Sequence, residues 1–222
     1  MQPMPIDATA SPHTRRSLLL WPAALALLSA CRQATTGVRV APGQTVLAFG
    51  DSVTHGTGAG PGEDWPSLLA AKTGWQIVNA GVPGDTAQAA RSRLAPLLRA
   101  HRPALVIVEL GGNDFLRRRT HAAVKEDLRA LLQAAREAGA QAVLVSVPEL
   151  SLLGALSRRL SDADLYADLA QEEKVPLVPD VFSDVLSNPA WRADHVHPNA
   201  AGYREMATRL HAALVEQGIA AP

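Results

Sequence analysis

Short apolar runs separated by longer stretches of mixed polarity recur along the chain from Thr45 onward. The run Thr45-Val46-Leu47-Ala48-Phe49 stops abruptly at Gly50-Asp51-Ser52 and reads as a buried strand delivering a serine to a turn. Trp65 to Lys72 has helical spacing, with Gly74 as its stop. Gln76-Ile77-Val78-Asn79 is a second strand, followed by a glycine-containing loop, Ala80 to Thr86, whose Asp85 or Thr86 caps a helix from about Ala87 to Ala100. Pro96 lies inside that helix and is expected to kink or shorten it. Ala104 to Leu110 is the clearest buried strand and ends at Gly111-Gly112-Asn113-Asp114. A helix from about Thr120 to Ala138 is closed by Gly139, and Ala142 to Val147 is the fourth strand, stopping at Pro148. After an apolar loop from Leu150 to Leu156 comes a helix that Ser161 and Asp164 are expected to cap reciprocally. Val175-Pro176-Leu177-Val178-Pro179 is a short fifth strand, placed at the sheet edge by its prolines. Asp194-His195-Val196-His197-Pro198-Asn199 then leads into a terminal helix from about Ala200 to Gln217. Strands alternating with helices argue for a parallel sheet covered by helices on both faces. In such a sheet ligands bind beyond the carboxyl ends of the strands, where the polar clusters of this chain fall.

Composition narrows the picture. A chain of 222 residues suits one well-cored domain. Its 21 basic and 21 acidic residues lack the basic excess that neutralises nucleic-acid phosphates. Aromatics are only 4% of the chain, so the core is aliphatic, and the single cysteine, Cys31, excludes an internal disulfide framework.

Before Thr45 the chain reads as processing signal rather than fold. Arg15-Arg16 precede an apolar run from Leu18 to Leu28, too short for a comfortable transmembrane helix of about 20 residues. The run ends in Leu28-Ser29-Ala30-Cys31, which resembles the bacterial lipoprotein cleavage box. That resemblance implies a signal peptide over residues 1–30, lipidation of Cys31, a tether over 31–43 and a folded domain over 44–222. It also implies export, with the protein held to a bacterial membrane and facing the periplasm or the cell surface. An ordinary signal peptide or an uncleaved anchor is the alternative, and Thr14 to Leu19 loosely resembles a twin-arginine signal.

Four polar features line up at strand ends or on the last loop: Gly50-Asp51-Ser52, Gly84, Gly112-Asn113-Asp114 and Asp194-x-x-His197. A serine hydroxyl needs a neighbouring base to act as a nucleophile, and His197 is the candidate. Asp194, three residues earlier, is placed to return on the same turn and hold the other imidazole nitrogen. Taken singly, each feature has a plainer reading: Gly84 as a turn glycine, Asn113-Asp114 as a helix cap, His197 as a loop histidine.

Together with Trp65-Pro66, Val78-Asn79-Ala80-Gly81, Val108-Glu109-Leu110 and His197-Pro198-Asn199, these features resemble the SGNH (GDSL-type) hydrolases, in particular their bacterial thioesterase, lysophospholipase and arylesterase branch. The resemblance spans about Thr45 to Leu214. It implies a flavodoxin-like three-layer α/β/α sandwich with a five-stranded parallel sheet, and hydrolysis of small ester or thioester substrates through a Ser52–His197–Asp194 triad. It further implies an oxyanion hole made by the N–H groups of Ser52 and Gly84 and the side-chain amide of Asn113, with no metal or organic cofactor. Val53 replaces the leucine of the GDSL name. Phe115, Leu116, Leu150 and Leu152 are expected either to line an acyl site or to pack into the core. Asp51 is left without an assigned role, bracing the turn being the simplest.

Other chemistries fit less well. Asp194, His195 and His197 resemble part of a metal site, but no second cluster supplies the remaining ligands. The glycines from Gly56 to Gly62 miss the G-x-G-x-x-G spacing and read as a flexible loop beside the substrate. Arg117-Arg118-Arg119 is expected to be a solvated run, with attraction of anionic headgroups as the alternative. A carbohydrate O-deacetylase of the cell envelope and a non-catalytic surface lipoprotein on the same fold are the competing functions.

Overall fold

The computed structural model describes Gln2, residues 36–149 and residues 160–222. Cys31, the apolar run before it, and Leu150 and Leu152 lie outside the described residues. Gln33–Pro222 forms one compact unit.

Five parallel strands form its sheet: β1 (Thr45–Gly50), β2 (Gln76–Gly81), β3 (Leu105–Glu109), β4 (Gln141–Val145) and β5 (Leu177–Val178), in the spatial order β2-β1-β3-β4-β5. This is the expected flavodoxin-like order. β1, β3 and β4 are almost wholly buried, as continuous apolar runs covered on both faces should be. β5 lies at the edge beside Pro176 and Pro179, where a missing N–H leaves no gap in a ladder. The longer helices are α2 (Trp65–Thr73), α3 (Ala87–His101), α5 (His121–Glu137), α6 (Leu165–Glu173) and α8 (Ala200–Glu216). α2 packs with α8, and α3 with α5, giving helical layers that enclose Trp65, Leu69, Leu94, Leu128, Tyr203 and Leu210.

The structure departs from the sequence expectations in four places. Pro96 does not shorten α3, because the proline and Ser92, whose carbonyl loses its partner, both lie on the exposed face where water serves that oxygen. The reciprocal cap of Ser161 and Asp164 does not form: Asp164 makes no side-chain cap bond to α6. Asp162 holds this segment instead, pairing with Pro148 beyond β4 and accepting the Asp180 N–H at 2.7 Å. The described part of the expected tether is not free chain, since Gly37 and Val40 donate to Gln217 and Ile219 at 3.0 and 2.9 Å and Val40 is buried. Three short helices were not anticipated: α1 (Ser52–His55), α4 (Gly112–Leu116) and α7 (Val181–Ser187). α1 and α4 start at the carboxyl ends of β1 and β3.

Candidate active site

The strand order reverses between β1 and β3, and this switch point is where a doubly wound sheet opens a crevice for ligands. Ser52 follows β1 as the first residue of α1, and Asn113 follows β3 in α4, so the two face each other across that crevice. Asp51 caps α1, its Oδ1 accepting the Val53 N–H at 3.0 Å. Beneath α1, Asn79 donates to the Thr54 carbonyl at 2.8 Å and to Asp64 Oδ1 at 3.3 Å. Asp64 in turn caps α2, which starts at Trp65-Pro66. The second strand and the Trp-Pro dipeptide thus support the turn that presents the serine.

His197 Nε2 stands 2.9 Å from Ser52 Oγ, and His197 Nδ1 stands 2.8 Å from Asp194 Oδ2. The three side chains form one continuous line. Asp194 Oδ1 also accepts the N–H groups of Val196 and His197, each at 2.8 Å, which closes the turn that points the imidazole at the serine. Burial alone raises the Asp194 carboxyl, but the bonds from the His197 ring and the two backbone N–H groups outweigh it and hold the group below the usual carboxylate range. Asn199 caps α8 and donates to the carbonyls of Ala190 and Arg192, fixing the loop from the other side. His195 is exposed, and among the described residues no three His, Cys, Asp or Glu side chains gather as metal ligands.

Gly84 adopts φ +79°, which suits a residue without Cβ, and a Cβ there would meet nothing within 4 Å. No acceptor stands against the N–H of Gly84 or of Ser52 among the described residues. The Asn113 amide is differently placed. Its Nδ2 donates to Asp51 Oδ2 at 3.1 Å and to the Asp85 carbonyl at 2.9 Å, which occupies both amide protons. The plainer reading of Asn113-Asp114 as a cap of the following helix fails, because Thr120 caps α5. Asp114, fully buried, accepts the Ala87 N–H at 2.8 Å and so ties the start of α3, just after the Gly84 loop, to α4.

Two buried carboxylates lie behind the serine. Burial pushes the Asp51 carboxyl up to about 6, against the bond from Val53. Burial, and then the neighbouring Asp51 charge, pushes Glu109 well above the usual range. Glu109 Oε2 accepts from Thr54 Oγ1 at 2.8 Å, while its Oε1 has no hydrogen-bond partner among the described residues.

A small cleft of about 60 Å³ opens beside Ser52 and His197, walled by Asn113, Leu116, Phe182 and Val196. Leu116 is therefore at the site, whereas Phe115 is 7% exposed and packs edge-on to His121 and Tyr166 in the core. The wall residues Phe182 and Val196 were not foreseen, since nothing in their local pattern distinguishes them from core positions. The glycine-rich loop borders the site but is tied down: Tyr203 donates to the Thr57 carbonyl at 2.8 Å, and a Cβ on Gly58 would fall 2.4 Å from the Pro198 carbonyl. Nor is the arginine run simply solvated. Arg117 donates to the Gly84 carbonyl at 3.0 Å, and Arg119 bridges Asp114 and Asp127 at 2.5 and 2.7 Å.

Comparison with known proteins gives a consistent picture. Residues 48–205 match the GDSL-like Lipase/Acylhydrolase family. The chain is 38% identical over 168 residues to Thioesterase 1/protease 1/lysophospholipase L1 of Escherichia coli (strain K12), covering 72% of this chain and 78% of that protein. It is 33% identical over 183 residues to Esterase TesA of Pseudomonas aeruginosa, covering 78% and 88%. A solved structure of TesA superposes with a TM-score of 0.69 at 30% identity, covering 78% of this chain and 99% of the other.

Proposed function

The chain belongs to the GDSL-like lipase/acylhydrolase family, and on that footing we propose that it cleaves carboxylic esters and thioesters through an acyl-enzyme formed on Ser52. That it is an ester-hydrolysing enzyme follows from the family and from its esterase and thioesterase relatives. The observation that carries the mechanism is the line Ser52 Oγ, His197 Nε2, His197 Nδ1, Asp194 Oδ2, with spacings of 2.9 and 2.8 Å across the two gaps.

In this reading Ser52 Oγ attacks the acyl carbonyl while His197 Nε2 takes the hydroxyl proton. Asp194 keeps the proton on Nδ1 directed toward itself and stabilises the imidazolium. The tetrahedral oxyanion is held by the N–H groups of Ser52 and Gly84 and by the Asn113 amide, which turns one proton from its resting partner to the new charge. Collapse breaks the bond to the leaving alkoxide or thiolate, which receives the proton from His197. Water then attacks the acyl-enzyme, with His197 again as base, releasing the carboxylic acid and free Ser52. Leu116, Phe182 and Val196 supply an apolar wall for the acyl group. The names of the relatives, thioesterase, lysophospholipase and esterase, support acyl substrates with differing leaving groups.

The enzyme acts outside the cytoplasm in this reading, anchored to a bacterial membrane by acyl chains on Cys31. Arg15-Arg16, the apolar run and Leu28-Ser29-Ala30-Cys31 support that placement. Replacing Cys31 by serine should move the protein from the membrane to the soluble fraction; unchanged membrane association would reject the anchor. For the chemistry, Ser52→Ala should abolish hydrolysis of p-nitrophenyl butyrate while leaving the circular dichroism spectrum unchanged. Substantial residual turnover would reject Ser52 as nucleophile.

A further inference from the structure

Among the described residues, Arg93 is the guanidinium that bonds to both the Ser52 turn and the Gly84 loop. It projects from α3 with a side chain only 22% exposed, and its three nitrogens each have a partner. Nε donates to Asp85 Oδ2, Nη1 to the Ala80 carbonyl and Nη2 to the Gly50 carbonyl, all at 2.6 Å. Its guanidinium carbon lies 4.0 Å from the ring centroid of the fully buried Phe49. A planar fork is needed to meet three acceptors at once, and the cation–ring contact holds that fork in place.

The acceptors are not arbitrary. Gly50 ends β1 and lies two residues before Ser52; its carbonyl also accepts the Val82 N–H at 3.1 Å, which joins the nucleophile turn to the Gly84 loop. Ala80 lies near the end of β2, where that loop begins. Asp85 follows Gly84 directly, its side chain is held by Arg93 and by the Thr86 N–H, and its carbonyl is one of the two acceptors of the Asn113 amide. Each of the three oxyanion donors is therefore within two residues, or one hydrogen bond, of an atom bonded to Arg93.

We infer that Arg93 is a positioning residue for the oxyanion hole, setting the Ser52 turn, the Gly84 loop and, through Asp85, the Asn113 amide in one register. It touches no substrate and transfers no proton. Its effect is on how well three donors converge on a charge that exists only in the transition state, so its loss should be read in kcat rather than in KM. A structural role elsewhere would lower stability or the amount of active enzyme without linking Arg93 to Asn113.

This inference rests on the oxyanion assignment above, and a double-mutant cycle separates the two. Wild type, Asn113→Ala, Arg93→Lys and the double variant are assayed for kcat and KM on p-nitrophenyl butyrate, with active sites counted by fluorophosphonate titration. Lysine keeps the charge but offers a single ammonium in place of the fork. Asn113→Ala should lower kcat by roughly 10²–10³, and Arg93→Lys by roughly 10–10², the scale on which a misplacement of about 1 Å acts. KM should stay within about threefold, because uniform binding is untouched. Adding Asn113→Ala to the Arg93→Lys enzyme should cost at least about tenfold less than adding it to the wild type, since the donor it removes is already displaced. Effects that multiply fully, or an Arg93→Lys change confined to KM, overturn the role of Arg93 alone. Asn113→Ala with unchanged kcat overturns the oxyanion assignment, and the role of Arg93 with it. If Arg93→Lys does not fold, Asp85→Asn, whose single oxygen cannot accept from both Arg93 Nε and the Thr86 N–H, is carried through the same cycle with the same criteria.

Discussion

Asp51 Oδ2 accepts a hydrogen bond from Asn113 Nδ2 at 3.1 Å, so the acid that caps the helix opened by Ser52 also holds the amide proposed to receive the oxyanion. Bracing the turn is only half of what Asp51 does. With the Asp85 carbonyl it occupies both protons of the resting amide, and in the proposed mechanism one of them turns to the developing oxyanion. A charged or neutral acceptor at this position sets how readily the amide is released.

Asp51→Asn keeps the size of the side chain but cannot serve both partners. If its oxygen caps α1, its own NH₂ faces the NH₂ of Asn113; if it flips, the cap to Val53 is lost, at about 1 kcal/mol. The variant should show kcat reduced roughly 10–10²-fold with KM little changed. Steady-state kinetics on a short-chain ester measures this, and a wild-type kcat would show that Asp51 only braces the turn.

Folding stability should fall as pH rises through the range in which Asp51 titrates. Burial lifts its carboxyl from 3.8 to about 6 in the folded protein, so the proton favours the folded state. That contribution is complete below about pH 4 and is lost as pH passes through about 6. Glu109, raised by burial and then by Asp51, acts in the same direction. Asp194 acts oppositely, but its lowered value places its effect below about pH 4. Urea denaturation of the wild type at pH 4.5 and pH 7.5 should show a loss of which about 2 kcal/mol is absent in Asp51→Asn. Parallel pH dependence in the two proteins would contradict it.

Much of this was legible in the chain itself, and the exceptions share a cause. β1, β3 and β4 announce themselves because a strand buried on both faces must be apolar throughout; Ser52 and Asn113 stand where β1 and β3 stop, Gly84 lies in the loop after the less buried β2, and Asp194 and His197 are on the last loop. Arg93 carries no such mark: it lies on a helix among other arginines, and its three acceptors are backbone carbonyls and an aspartate that only the folded loops bring together. Arg119 looked like one of three solvated charges because its partners, Asp114 and Asp127, are buried by packing that local pattern does not encode. Glu109 did leave a signal, a lone carboxylate in an otherwise apolar strand, but the Thr54 partner that explains it is 55 residues away.

The glycine loop beside His197 gives a paired prediction. Gly58 has φ +98°, and a Cβ on it would press on the Pro198 carbonyl at 2.4 Å and the Ala193 side chain at 2.8 Å, on either side of the His197 turn. Gly62 has φ +77° but open space around it. Gly58→Ala should therefore displace His197 and lower kcat at least about tenfold, besides costing roughly 1–3 kcal/mol of stability. Gly62→Ala should cost about 1 kcal/mol with kcat retained. Kinetics and thermal melts of the pair test this, and equal kcat values would deny that the loop supports the base.

The central claim is that acyl transfer passes through Ser52. Rapid acid quench of the enzyme turning over p-nitrophenyl butyrate, followed by peptide mass spectrometry, tests it most directly. The prediction is a butyryl adduct on Ser52, present in wild type and absent in both Ser52→Ala and His197→Ala. Turnover in Ser52→Ala, or an adduct mapped to another residue, would contradict the account.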